Sequence, residues 1–274
     1  MMMNDVSAAA AIVVGVDGSD AALRAALWAV DEAVSRDVPI RLVYAIDPAD
    51  DDPEDRAHKF ATAEIAVRYV YTAVEATEKP VKVEIDIMQD QPTAALIRAS
   101  ASASMVCAGA VGFRHFSDGH LGSTAEALAG RAHCPVAIVR ESPRPSAERG
   151  YVVAIIDDTA GSPAVLELAV GEALLRHAHL RVLTVRSRRD AHTADRLERR
   201  LAPWKRRHPD LDIESEVVHG RILDYLTRHP AQTHAVVVGP HDVSVCAELF
   251  SANGYAVLRD SRSALLIAHG NRSL

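Results

Sequence analysis

The sequence has few cysteines and no long apolar run. Its three cysteines, Cys107, Cys134 and Cys246, lie far apart and form no Cys-x-x-Cys pair, which excludes the common zinc and redox motifs. We therefore expect buried thiols in a reducing compartment. No apolar run reaches the roughly 18 residues of a membrane span, and the N-terminal residues lack the basic charge that begins a signal peptide. These absences predict a cytoplasmic protein without a membrane partner.

The sequence also lacks an excess of positive charge. It has 37 acidic and 30 basic residues, so its formal net charge of −7 supplies no basic field for a nucleic-acid backbone. The 13 histidines form no His-x-x-x-His or His-Glu-x-x-His pattern, so no metal site is predicted. Gly-x-Ser-x-Gly is absent as well, and no nucleophilic or other catalytic residue is assigned.

An internal repeat divides the chain. The best offset is 140 residues, the separation of Asp17 from Asp157, and it changes to 130 later in the repeat. The aligned segments are 14–33 with 154–173, 40–47 with 180–187, and 105–112 with 235–242. We predict a first domain at 1–140, a linker at 141–150 that contains prolines and charges, and a second domain at 151–274.

Each repeat alternates apolar, β-branched runs with segments of helical periodicity. In the first repeat, strands are predicted at 10–16, 40–46, 81–88, 103–110 and 134–140, and helices at 21–36, 55–76, 91–102 and 123–132. Continuous apolar runs are typical of strands that are buried on both faces of a parallel sheet. The pattern predicts an α/β protein of two tandem Rossmann-like domains, each a five-stranded parallel-type sheet with helices on both faces.

A glycine-rich segment follows the fourth predicted strand. Gly109, Gly112 and Gly122 precede Ser123 and Thr124, which begin a predicted helix. Glycine allows positive φ or close approach of the backbone, and a helix N-terminus directs free N–H groups at an anion. The spacing therefore predicts a loop that wraps a phosphate group.

Asp17 follows the first predicted strand directly. In doubly wound sheets, ligands bind beyond the carboxyl ends of the strands, so Asp17 and the glycine segment can face one crevice. Its carboxylate can accept hydrogen bonds from a base or sugar, or it can cap the helix that follows. The residues alone leave both roles open.

Other nucleotide-binding motifs are absent. There is no Gly-x4-Gly-Lys-Ser/Thr sequence, which excludes a P-loop NTPase, and no Gly-x-Gly-x-x-Gly follows the first strand. The first strand ends in VDGSDAA and not in the Ser-Gly-Gly-x-Asp-Ser loop of related adenylating ligases and pyrophosphatases. An enzyme is therefore the second choice, as a slow ATPase.

The glycine pattern Gly109-x2-Gly112-x9-Gly122-Ser123, with VVGVDGS at 13–19 and HCPVAIV at 133–139, resembles the universal stress protein family. In particular it resembles the tandem-domain, ATP-binding branch of that family, whose fold is adenine nucleotide alpha hydrolase-like. The resemblance implies a nucleotide-binding regulatory protein of the stress response that takes ATP, with or without Mg²⁺. It also implies domains that pair through their last strands.

The resemblance further implies which residues bind the nucleotide. Adenine and ribose contacts fall on the backbone of Gly15, on Asp17 and on the backbone near Ala45. The implied phosphate loop consists of Gly109, Gly112, Gly122, Ser123 and Thr124.

The second repeat departs from this pattern. Gly239 matches Gly109, but Asp242 stands at the position of Gly112 and Ala252 at that of Gly122. We expect the second domain to bind nucleotide poorly or not at all.

A third hypothesis is an interaction module that holds no ligand. The segments 135–140 and 264–270 look like edge strands, which tend to pair with other strands. They predict a pseudo-dimer of the two domains within the chain and association of two chains as a homodimer. The acidic segment 47–56 is either a solvated loop over the crevice or a partner surface.

Overall fold

The computed structural model describes residues 10–48, 53–110, 122–140, 149–157, 162–186, 192–229 and 233–270. These residues form two compact units, and the boundary between the units falls within the strand at Val136–Val139. The domain limits predicted from the sequence, 140 and 151, stay a prediction.

The first unit alternates strands and helices as its sequence predicts. Its elements are β1 (Ile12–Gly15), α1 (Asp20–Arg36), β2 (Ile40–Ile46), α2 (Pro53–Glu75), β3 (Val83–Gln89), α3 (Pro92–Ala99), β4 (Met105–Gly109), α4 (Ser123–Arg131) and β5 (Val136–Val139). The strand order is β3-β2-β1-β4-β5, and β1 pairs in parallel with both β2 and β4. Helices α1 and α2 pack together, and α3 packs with α4.

The second unit repeats this arrangement with one additional helix among its described residues. Its elements are β6 (Tyr151–Ile155), α5 (Ser162–Leu175), β7 (His179–Arg186), α6 (Thr193–Arg207), β8 (Ile213–His219), α7 (Ile222–Arg228), β9 (Thr233–Val238), α8 (Val243–Phe250), α9 (Ala252–Asp260) and β10 (Ala264–Ile267). The strand order is β10-β9-β6-β7-β8. The predicted fold class, α/β with a parallel-type sheet and helices on both faces, is confirmed.

The strand registers reproduce the offset found in the sequence. Ile12 of β1 pairs with Ile40 of β2, and Val152 of β6 pairs with Leu180 of β7. Both members of the second pair lie 140 residues after their counterparts. The sequence alignment therefore matches residues that have the same place in the two sheets.

An ion pair between the second and third strands is also repeated. The Arg41 guanidinium donates to a Glu84 carboxylate oxygen at 3.3 Å, and Arg181 Nε donates to Glu214 at 2.9 Å. The Lys82 ammonium is the first cause of the lowered pKa of Glu84. Because the pair occurs in both units irrespective of the glycine motif, we assign it to the sheet and not to a ligand site.

The three cysteines are buried, as predicted. Burial raises the pKa of the Cys134 thiol to about 12 and that of Cys246 to about 11. Such thiols carry little thiolate at neutral pH, so they act as small apolar side chains. In the part of the chain that the structure describes, no helix is long and apolar enough to cross a membrane.

Candidate functional site

The carboxyl ends of β1, β2 and β4 meet at one edge of the first sheet. Gly15 at the end of β1 pairs with Val43 of β2, and the ladder continues with Val16 N–H donating to the Val43 carbonyl at 2.9 Å. Two residues further on, this register brings Asp17 level with Ala45. Because Gly109 ends the adjacent strand β4, it lies at the same edge as Gly15, Asp17 and Ala45.

Asp17 forms a tight turn between β1 and α1. Its Oδ1 accepts hydrogen bonds from Ser19 N–H at 3.0 Å and Ser19 Oγ at 2.6 Å. Gly18, between them, has φ +82°, which favours glycine. Ser19 is the N-cap of α1, because its Oγ accepts from Ala22 N–H at 3.1 Å. The capping role that the sequence left open for Asp17 therefore belongs to Ser19, and the exposed Asp17 carboxylate lies at the crevice edge.

We predict that Ser19→Ala lowers the free energy of unfolding by about 1 kcal/mol, because the variant leaves an orphan N–H at the start of α1. Urea unfolding measures the loss. Ser19→Thr, which keeps the accepting hydroxyl, is the matched control. Equal losses in the two variants would contradict the capping role.

Gly109 allows β4 to end directly against α1. A Cβ atom on Gly109 would lie 2.7 Å from both the carbonyl carbon and the Cβ of Ala21, closer than real atoms pack. A Cβ on Gly15 would lie 2.9 Å from a Leu96 methyl group, which can move more easily than backbone. Gly109 therefore has a steric reason to be glycine that is independent of any ligand.

Helix α4 follows Gly122, a residue without a side chain that could cap its first turn. Gly122 is its N-cap, with φ −64° and ψ 148°, and no side chain of the described residues caps this turn. Gly122 N–H donates to the Ala110 carbonyl at 2.9 Å, which holds the start of α4 at the end of β4. Ser123 is exposed and Thr124 is partly buried. Gly112 lies outside the described residues, so its predicted role is not placed.

Two residues that the sequence reading missed lie at the same edge. The Thr93 hydroxyl, at the start of α3, lies 3.4 Å from the Thr124 hydroxyl. Gln91, the N-cap of α3, donates its side-chain N–H to Asp47 at 2.7 Å. The available signal was the polar segment QPT after the third strand, because parallel strands bring their carboxyl ends together.

At the corresponding edge of the second unit, two side chains bond to the backbone that follows β6. The Asp157 carbonyl accepts from Ser162 Oγ at 2.7 Å and from Arg200 Nη1 at 2.6 Å. Beside it, between Asp157 and Asp242, is a depression of about 10 Å³, barely enough for one water molecule.

Helix α8 occupies the chain interval that corresponds to the glycine-rich segment of the first unit. Asp242 is its N-cap: the carboxylate accepts from Val245 N–H at 3.2 Å, at the position where an anion would bind. Among the described residues, a Cβ on Gly239 would meet only a Val165 methyl group, at an ordinary contact distance of 3.6 Å. Gly254 lies inside α9, where a Cβ would come within 2.3 Å of the Glu248 carbonyl oxygen. Gly254 therefore serves the packing of α8 on α9.

No group of three or more histidine, cysteine, aspartate or glutamate side chains is placed to hold a metal ion among the residues that the structure describes.

Known proteins resemble this chain both in its first half and along its whole length. The model of the "Universal stress protein family" matches residues 10–140. Along nearly the whole chain, the sequence is 46% identical over 275 residues to universal stress protein Rv2028c of Mycobacterium tuberculosis, covering 97% of this chain and 98% of the relative. It is 39% identical over 258 residues to Rv2624c of the same organism, covering 93% and 95%.

A solved structure of a universal stress protein from Archaeoglobus fulgidus shares the fold. Its TM-score is 0.73, with 17% sequence identity, and the match covers 96% of this chain and 97% of that one. The identity is low enough that this likeness supports the fold alone.

Proposed function

The chain belongs to the universal stress protein family, and from this premise we propose that it is an ATP-binding regulatory protein of the stress response. In this proposal the first domain, 1–140, holds the nucleotide. The second, 151–274, follows the linker at 141–150 and does not hold it. The protein acts in the cytoplasm through partners that respond to its nucleotide state.

The observation that carries the proposal is the start of α4 beside the end of β4, at the same edge as Asp17 and Gly109. The first N–H groups of a helix have no partner within it, and the helix dipole adds a positive partial charge there. No side chain of the described residues caps the first turn of α4. We assign the phosphates to Gly109, Gly112, Gly122, Ser123 and Thr124, and we propose that the Thr93 hydroxyl supports Thr124.

We propose that the exposed Asp17 carboxylate accepts hydrogen bonds from the ribose hydroxyls, while its Oδ1 also accepts from Ser19 N–H. The backbones of Gly15, at the end of β1, and of Ala45, next to the end of β2, are proposed to contact adenine. Carboxylate and hydroxyl oxygens are hard donors, so ATP is proposed with or without Mg²⁺.

The second domain is proposed to be silent because it carries its own anion. The Asp242 carboxylate already caps α8, and it would repel a phosphate at that position. The backbone carbonyl of Asp157, the counterpart of Asp17, accepts hydrogen bonds from Ser162 and Arg200. We expect one nucleotide per chain and not two.

We further propose that two chains associate as a homodimer. The pairing of the two domains within one chain through their last strands stays a prediction.

Nucleotide content and thermal stability together test the proposal. Purified protein is analysed for released nucleotide, and its melting is compared with and without millimolar ATP, ADP and AMP. Nucleotide at 100 times its dissociation constant is expected to add about 2.7 kcal/mol of stability, from about one site per chain.

Asp17→Ala should remove most of this stabilisation. Absence of both bound nucleotide and thermal shift would overturn the proposal in favour of the interaction module. Steady phosphate release that is lost in Asp17→Ala would replace it with the slow ATPase.

A further inference from the structure

The outer face of α2 exposes large apolar side chains. Ile65 is 72% exposed and Tyr69 is 60% exposed. They are four residues apart and therefore share one face of the helix. Val67 and Val70, on the opposite face of the helix, are each 1% exposed and pack into the first unit. Helix α2 is thus apolar on the side that its own unit leaves uncovered.

The threonines on this face make it more apolar. Thr62 Oγ1 donates to the His58 carbonyl and Thr72 Oγ1 to the Arg68 carbonyl, each at 2.9 Å. Both hydroxyls are therefore used within the helix, and the methyl groups add to the apolar face.

The second unit shows that the fold does not require this apolar face. The exposed residues of α6, the counterpart of α2, include the charged Asp195, Arg199 and Arg206. Ile85 of β3, which is 51% exposed, pairs with Leu42 of β2. Ser215 of β8 has the same place in the second unit, because it pairs with Val182, 140 residues after Leu42. The same architecture is polar in one unit and apolar in the other, so the apolar face needs a reason outside the fold.

The α2 face is symmetric in sequence about Val67. In three pairs, one member precedes Val67 by the same number of residues as the other follows it. The pairs are Ala61 with Ala73, Thr62 with Thr72, and Ile65 with Tyr69. An antiparallel pair of α2 helices, related by a two-fold axis at Val67, would set small residues against small residues. It would also set Ile65 against the partner's Tyr69.

Charge is complementary in the same arrangement. Glu64 and Arg68 are exposed and flank one side of the α2 face. The two-fold axis would bring Arg68 to about 3 Å along the helix axis from the partner's Glu64, and the contact would occur twice. Few partners other than a second copy would match both the apolar pattern and the charges.

We propose that the outer face of α2 is the contact surface between two copies of this chain, packed antiparallel about Val67. The helix is about 35 Å long and about 10 Å wide, so the helix pair buries only about 700 Å² in total. That area is below the roughly 1,200 Å² at which standard specific interfaces begin, so we expect a weak, concentration-dependent dimer. The inference rests on the proposed self-association and is independent of nucleotide binding.

Sedimentation of the full chain between about 1 and 100 μM tests the surface. The wild type is expected to shift from monomer to dimer with concentration, and Ile65→Glu to raise the dimer dissociation constant at least about tenfold. Leu174→Glu is the matched control, because Leu174 is also exposed, at 45%, but lies on α5. Its dimer should be unchanged.

Exchanging the charges of Arg68 and Glu64 tests the antiparallel arrangement itself. Arg68→Glu and Glu64→Arg should each weaken the dimer when alone, whereas an equimolar mixture of the two variants should form a heterodimer with paired charges. A wild type that stays monomeric at 100 μM overturns the proposed self-association. A dimer that Ile65→Glu and both charge variants leave intact overturns only the assignment of the surface. The same variants should keep the ATP-dependent thermal shift. Loss of the dimer and loss of nucleotide binding can therefore be told apart.

Discussion

Gly122→Glu is expected to abolish the ATP-dependent rise in melting temperature and to leave the fold intact. The substitution places a carboxylate at the N-cap of α4, where the proposed phosphate would lie. The new charge would both repel the phosphate and compete with it for the first-turn N–H groups. Since Gly122 has φ −64°, a side chain is compatible with its backbone, and exchange of a glycine cap costs only a few tenths of a kcal/mol.

The chain supplies a matched control for this variant. Ala252, 130 residues after Gly122, is exposed at the start of α9 in the second unit. Ala252→Glu introduces the same charge at a helix N-terminus and should keep the whole thermal shift, about 2.7 kcal/mol at 100 times the dissociation constant. If Gly122→Glu binds ATP as the wild type does, the phosphate assignment is wrong. If both variants lose binding, the nucleotide site extends to the second unit.

Gly109→Ala should destabilise the protein by about 2 to 3 kcal/mol even without nucleotide. The added methyl group would lie 2.7 Å from the backbone of Ala21, so the start of α1 or the end of β4 would have to move. Urea unfolding is followed by the fluorescence of Trp28, which is buried in α1, in a Trp204→Phe background so that the signal comes from the affected unit.

Gly239→Ala is the control for the steric argument. Gly239 is the counterpart of Gly109, but in the described part of the chain its added methyl group would meet a Val165 methyl alone, at 3.6 Å. We expect a change within about 0.5 kcal/mol, or a small gain because alanine restricts the unfolded chain. Equal destabilisation by the two substitutions would show that the close approach at Ala21 does not decide the need for glycine.

The alternation of elements could be read from local patterns. The continuous apolar run in β2 was predicted at 40–46 and is found at Ile40–Ile46, because burial on both faces leaves a signal in every residue. Helix ends were less accurate: α3 was predicted at 91–102 and spans Pro92–Ala99. Helix ends depend on caps and on tertiary contacts more than on periodicity.

The edge at which the candidate residues meet was also predictable. Parallel strands run in one direction, so the residues that follow β1, β2 and β4 must end on the same side of the sheet. The repeat in the sequence likewise predicted matching registers in the two units. The binding roles of Asp17, Gly109 and Gly122 stay predictions.

By itself, the sequence determined the α/β class, the duplication, the buried cysteines and the edge of the candidate site, because periodicity, offset and strand direction are properties of the chain. Only the tertiary structure decided that Ser19 and not Asp17 caps α1, that Ala21 packs against Gly109, and that Asp242 caps a helix α8. These outcomes depend on which atoms approach within about 3 Å, and the packing of distant segments sets those distances.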